Sequence, residues 1–189
     1  MTRLEAMEQY ISSYRVMWTK ERIEEAKKEQ DHLLIEKMKE LFEKAIQKQN
    51  VRSWTPAYLS VFYLNSSTYT RTFEYLICLS NDQIYLDDEQ LNTFWRPSFI
   101  GTESEDEGLK KLLQKKFVRV KDYEVSHISR LFETEYKKIT EVYIRPVFET
   151  ITKEYLFANL NKNESFTFAY GNYMGEIKSL KTFESRPEQ

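Results

Sequence analysis

SWTPAYLSVFYLNSSTYTRTFEYLICLSNDQIYL, residues 53–86, is where the chain changes its period. Residues 57–64 and 69–79 are rich in Tyr, Phe, Val, Ile and Thr, the side chains that suit a pleated surface. The stretch 65–68 between them predicts a hairpin loop, and Asn81-Asp82 a turn into a short third strand at 83–86. Phe73, Tyr75, Ile77 and Leu79 alternate onto one face of the second strand. The first strand is apolar on both faces and belongs in the middle of a sheet. The expected arrangement is an antiparallel meander.

Upstream, residues 1–52 hold neither glycine nor proline. Leu4, Met7, Ile11, Tyr14 and Trp18 recur at three- and four-residue steps, and so do Leu34, Met38, Leu41 and Ala45. Each set makes one apolar helical stripe. Between them residues 19–31 are almost wholly charged. Unbroken, such a helix would run about 70 Å at 1.5 Å per residue. A break near Ser12-Ser13 or Thr19, or an oligomer that covers a long arm, is the expectation.

Downstream, Ser104 with Glu107 reads as a capping box. The helix it opens carries Leu109, Leu112, Leu113 and Phe117 on its apolar side. Asp122 is read as the cap of a second long helix. Its stripe is Val125, Ile128, Phe132, Tyr136, Ile139, Tyr143, Val147, Ile151 and Tyr155. Pro146 should kink or divide that helix, because its ring removes a donor and crowds the preceding turn. Residues 159–163 break the pattern. Phe166, Phe168 and Tyr170 then alternate, and a turn at 171–175 gives a C-terminal hairpin. The reading is an α+β fold: long helices packed on a small antiparallel sheet, meander plus C-terminal hairpin. The expected organisation is one domain over 1–183, with a helical arm at 1–52, a body at 53–183 and a frayed tail at 184–189.

Composition narrows the function. The four glycines are Gly101, Gly108, Gly171 and Gly175. The first hundred residues therefore have no backbone that can lie against a phosphate as Gly-rich nucleotide loops do. No G-x-S-x-G elbow occurs. Thirteen Tyr, twelve Phe and three Trp supply a core that needs no disulfide or metal. A formal net charge of −2 exerts no global pull on nucleic acid or anionic membrane. The one cysteine, Cys78, sits in an apolar run and reads as a small buried hydrophobe. No basic region followed by an apolar one opens the chain, and no apolar run reaches a membrane span. The expectation is a cytoplasmic protein without membrane partners.

Four constellations carry chemistry, each with a plainer reading beside it. The two histidines each follow a glutamate by three residues, Glu29…His32 and Glu124…His127. On a helix such pairs share a face, and two of them with further glutamates build a di-metal centre in four-helix bundles. His32 stands on a charged face, and strands occupy the place of two of those helices, so surface pairs are the preferred reading. Lys110, Lys111, Lys115, Lys116, Arg119 and Lys121 form a run without an acid over residues 110–121. It suits phosphates or an acidic partner. The same lysines are also what an amphipathic helix turns to water. The aromatic sheet, with Tyr58, Phe62, Tyr63, Tyr69, Phe73, Tyr75 and Tyr85, could stack bases if bare. Burial under the helices is preferred. Asp82, Asp87 and Asp88 could serve acid–base or Mg²⁺ chemistry, but turns and caps account for them.

The reading is thus a non-enzymatic interaction or regulatory module, with a protein partner or a second copy of itself. The alternatives are a nucleic-acid-associated protein using the basic run and a carboxylate/histidine metalloprotein using Glu124 and His127. No cofactor and no catalytic set is assigned.

Overall fold

The period change near residue 53 ends two helices and begins a sheet. In the computed structural model, residues 1–28, 32–101 and 103–184 are described, with backbone alone at 68, 103 and 104. The chain runs α1 (Arg3–Ala26), α2 (His32–Gln49), β1 (Tyr58–Tyr63), α3 (Asn65–Thr70), β2 (Tyr75–Ser80), β3 (Leu91–Trp95), α4 (Glu103–Gln114), α5 (Asp122–Arg130), α6 (Glu133–Ile151), α7 (Tyr155–Asn159), β4 (Ser165–Asn172) and β5 (Ile177–Glu184). Contacts divide it into two compact units, Met1–Glu29 with Pro97–Tyr143, and Gln30–Arg96 with Ile144–Gln189.

The helical arm is two helices. A capping box starts α1: Thr2 Oγ1 accepts the Glu5 N–H at 3.2 Å, and Glu5 Oε2 accepts the Thr2 N–H at 2.7 Å. The break lies beyond Ala26, later than Ser12-Ser13 or Thr19. Ser12 and Thr19 instead donate back to the carbonyls of Gln9 and Arg15, at 2.8 and 2.7 Å, and so stay inside the helix. The expected α2 stripe, Leu34, Met38, Leu41 and Ala45, is fully buried.

The fold is α+β. The sheet order among the described residues is β3-β2-β1-β4-β5, with β1 at the centre. It is mixed, a correction to the antiparallel expectation: β1 pairs parallel with β4, Leu59 beside Phe168, while the other neighbours are antiparallel. A parallel pair needs a long crossover, and here residues 64–164 separate the two strands. The C-terminal hairpin is present. Gly171 is required in it, because a Cβ there would lie 2.1 Å from the Glu176 carbonyl.

The meander also needs correction. Residues 65–70 are the short helix α3, held by Ser67 Oγ on the Leu64 carbonyl at 2.6 Å. Arg71 and Phe73 follow at φ 60° and 50°, so β2 begins at Tyr75 rather than residue 69. Residues 83–86 are not a strand. Ile84–Leu86 is a 3-10 turn with Ile84 at φ 52°. The buried Asp87 carboxylate sets this loop. It accepts the N–H groups of Asn81 at 2.7 Å and Glu89 at 2.9 Å, and Trp54 Nε1 at 3.2 Å. The chain folds back on itself and the third strand starts only at Leu91.

The long second helix divides into α5 and α6. Leu131 and Phe132 bond three residues back, to Ile128 and Ser129, and tighten the backbone while Phe132 stays buried in the stripe. Pro146 lies inside α6 without dividing it. An interior proline costs about 3 kcal/mol. Buried Ile144, Val147 and Phe148 beside it each return about 1.5–3 kcal/mol. Tyr155, expected in the stripe, is exposed at the start of α7.

The second unit is built on rings. Phe148 of α6 stacks on Phe168 at 4.5 Å. Phe157 of α7 meets Phe42, Phe166 and Phe168 at 5.5–5.7 Å. On the opposite sheet face Phe62, Leu76 and Cys78 are covered by Ile84, Tyr85 and Ile177. Most of the aromatic sheet is therefore interior, although Tyr69 is exposed.

The first unit is held differently. Trp18 meets Phe132 and Tyr136 edge-on, at 4.9 and 5.6 Å. Around this contact, charged side chains of α1 reach the other helices of the unit: Arg3 to Glu124 at 2.6 Å, Arg15 to Glu135 at 3.5 Å and Arg22 to Glu105 at 3.3 Å.

Candidate partner-binding segment

The basic run is not one helix. α4 ends at Gln114, with Leu109 and Leu113 buried. Lys115, Lys116 and Phe117 then turn off its end through N–H bonds to Leu112 and Leu113 at 2.9–3.2 Å. Arg119 adopts φ 53°, a conformation that costs a non-glycine residue about 1–2 kcal/mol. Lys121 precedes α5. The segment 115–121 is a folded-back connection.

Four anchors fix it. Phe117 packs edge-on against Tyr10 at 5.8 Å. Val120 is buried. Arg3 Nη2 donates to the Val118 carbonyl at 2.8 Å. Glu124 Oε2 accepts the Lys121 N–H at 2.8 Å. What the anchors leave outward is a mixed surface. Lys115, Lys116, Arg119 and Lys121 are exposed, with Val118 78% and Tyr123 60% exposed among them.

The charges divide into two sets. Lys110 pairs with Asp122 at 2.7 Å and holds that carboxyl below its usual range, and Lys111 reaches Glu107 at 3.9 Å. Lys115, Lys116, Arg119 and Lys121 make no ion pair among the described residues. Lys116 lies over the Tyr10 ring at 5.0 Å and Lys121 over Tyr123 at 5.8 Å. The structure thus gathers four of the six cations on one segment and engages the other two with acids. Arg3, Val118 and Tyr123 were not singled out from sequence. The alternation of cation and apolar residue in KKFVRVK, 115–121, was the available signal.

Glu124 and His127 both lie on α5 but face α1 partners. The buried Glu124 carboxylate takes Arg3 Nε at 2.6 Å and the Lys121 N–H. The Arg3 bond first, then the Lys121 bond, hold its pKa below the usual carboxylate range. His127 Nε2 sits 2.8 Å from Glu8 Oε1. Among the described residues no three His, Cys, Asp or Glu side chains converge to hold a metal ion. Glu29 lies outside the described residues, so the Glu29…His32 pair is not placed. The capping role expected of the Ser104 side chain also lies outside them.

The other clusters are engaged structurally. Asp87 is consumed by its three donors. Cys78 is buried beside Gln90, its Sγ 2.9 Å from Oε1, and burial and the nearby Asp87 push its thiol up to about 12. A narrow cleft of about 10 Å³ in the first unit, room for about one water, is lined by Tyr14, Trp18, Asp106, Leu109, Ser129 and Phe132, among others. Burial raises the Tyr14 pKa, and Ser129 Oγ donates to Asp106 at 2.8 Å. Aromatic rings with carboxylates suit a cation. The chain supplies one: the Arg22 guanidinium lies 5.8 Å from the Trp18 ring centre and pairs with Glu105.

Fold and segment together define an α+β protein that presents a fixed, cationic, apolar-tipped connection. Compared with protein-family models, curated proteins and solved structures, the chain matches none. Among the described residues no helix is long and apolar enough to cross a membrane.

Proposed function

We propose that the protein is a non-enzymatic binding module whose segment 115–123 receives an acidic segment of a partner protein. The observation that carries this reading is the set of four exposed cations that make no ion pair among the described residues, standing around exposed Val118 and Tyr123 on a connection fixed by Arg3 and Glu124. Ordering a loop before binding removes an entropic cost of association. Exposed cations not held in ion pairs raise the encounter rate with an acidic surface. An exposed valine between them favours a partner that brings apolar as well as acidic side chains. A phosphate backbone would leave Val118 without use.

The test is fluorescence anisotropy with two labelled probes, a peptide rich in Glu and Leu and a single-stranded oligonucleotide, at rising salt. The expected result is peptide binding that weakens with salt, is abolished by Lys115→Glu with Arg119→Glu, and drops several-fold in Val118→Ser. Oligonucleotide binding indifferent to Val118→Ser would replace this reading with the nucleic-acid alternative. Binding of neither probe at low salt would end both.

A further inference from the structure

On the sheet face that bears Phe62, two loops of the second unit touch each other. Tyr85, in loop 81–88, meets Tyr173, in turn 172–176, at 5.5 Å, and its hydroxyl donates to the Asn172 carbonyl at 3.1 Å. Both rings pack against Phe62, at 5.2 and 5.8 Å. Each loop holds a non-glycine residue in the left-handed region, Ile84 at φ 52° and Met174 at φ 58°. Such residues persist where the surroundings fix them. The side chain after each ring stands in water: Leu86 is 77% exposed and Met174 70%. The same two loops carry exposed Asp82, Asp88 and Glu176 and contain no lysine or arginine. These three acids make no ion pair among the described residues. Glu89, set against Lys48 and Arg52, takes no part.

We infer that this paired tip docks on segment 115–123 of a second copy of the chain, so that copies join head to tail. The inference rests on the reading of that segment as a receiver of acidic, apolar chain. The two surfaces complement each other in both respects. One presents Lys115, Lys116, Arg119 and Lys121 around exposed Val118, and the other presents Asp82, Asp88 and Glu176 beside Leu86 and Met174. Opposite charges steer such surfaces together, and like charges suppress the wrong pairing. Setting Leu86 and Met174 against Val118 and Tyr123 takes apolar area of both copies out of water. Sign also decides orientation. Tip on tip would set acid on acid, and segment on segment would set cation on cation, so a two-fold contact through either is disfavoured. A contact between two different patches of one chain is heterologous, and it extends with concentration unless it closes into a ring.

Sedimentation velocity at low salt, over a wide concentration range, reads the result. Species heavier than the 22.8 kDa of one chain are expected, dispersed by added salt or by the Glu- and Leu-rich peptide. The decisive arm mixes two variants. Lys115→Glu with Arg119→Glu keeps the tip and loses the segment. Asp82→Asn, Leu86→Ser and Asp88→Asn together keep the segment and lose the tip. All five side chains are exposed, so both variants keep the core intact. Each alone should be a monomer, and the mixture should give a one-to-one dimer, because one intact tip meets one intact segment. Unsubstituted protein that stays a monomer at every concentration, or variants that stay apart when mixed, would overturn the head-to-tail contact. Peptide binding at 115–123 in that same protein would leave the proposed function standing, whereas its absence would end both.

Discussion

The two units keep their interiors closed by different means. In Gln30–Arg96 with Ile144–Gln189, rings do it: Phe148, Phe157, Phe166 and Phe168 form one packed group over the sheet. In Met1–Glu29 with Pro97–Tyr143, α1 contributes Arg3, Arg15 and Arg22, each set against a carboxylate that is largely buried. Ring packing is indifferent to pH and salt. A buried carboxylate is tolerated only while its partner remains, and its loss is strongly felt. The unit that carries the basic segment is thus the one whose integrity answers to charge.

Two substitutions sharpen that contrast. The largest effect should come from Phe168→Ala, which empties the centre of the ring group. A loss of about 3–5 kcal/mol in urea unfolding is expected, insensitive to salt. Arg3→Ala comes next, at about 1–3 kcal/mol, because it leaves the Glu124 carboxylate short of a donor. It also frees the Val118 carbonyl, so amide exchange over residues 115–121 should quicken. Equal losses from both substitutions at all salt concentrations would erase the distinction drawn between the units.

Acid gives a smaller and signed effect. Glu124 binds its proton less tightly folded than unfolded, because Arg3 and Lys121 favour the carboxylate. Its contribution is fully present above the ordinary carboxylate range and is lost as pH falls through its lowered folded value, from about pH 5 downward. Amide exchange in α1 and α5 should rise over that interval before exchange in β1 and β4 does. Least in energy, but simplest to read, is the Cys78 thiol. Buried and pushed up to about 12, it should resist iodoacetamide at about pH 8 and react only as fast as the second unit opens. Fast labelling of the folded protein would contradict the packing described for that sheet face.

Much of this was legible in the sequence. The α2 stripe, the central place of β1, the hairpin after residue 163 and the α+β class follow from periodicity, which burial enforces. The misreadings share a cause. Residues 69–73 carry strand-forming side chains, but Ser67 and the left-handed Arg71 and Phe73 hold them in a turn. Residues 83–86 are Gln, Ile, Tyr and Leu, yet the Asp87 carboxylate curls them into a loop. In both places one polar group bonding the backbone locally overrides side-chain propensity. The division at Leu131 left no trace, since the stripe stays in phase across it. The parallel β1–β4 pair is a long-range choice that strand composition does not encode. For the basic segment, residue types were readable but the end of the helix was not. Lys115, Lys116, Arg119 and Lys121 gather because α4 stops at Gln114 and Arg3 reaches across from α1, a contact 115 residues away in sequence.

The central claim, that residues 115–123 are a preformed surface for an acidic partner, is tested most directly by mapping amide exchange on the full chain. The measurement compares the protein alone with the protein saturated by the Glu- and Leu-rich peptide. The account predicts added protection confined to residues 115–123 and the start of α5, lost when Lys115→Glu is combined with Arg119→Glu. Protection located elsewhere with these residues unchanged, or no protection at saturating peptide, would contradict it.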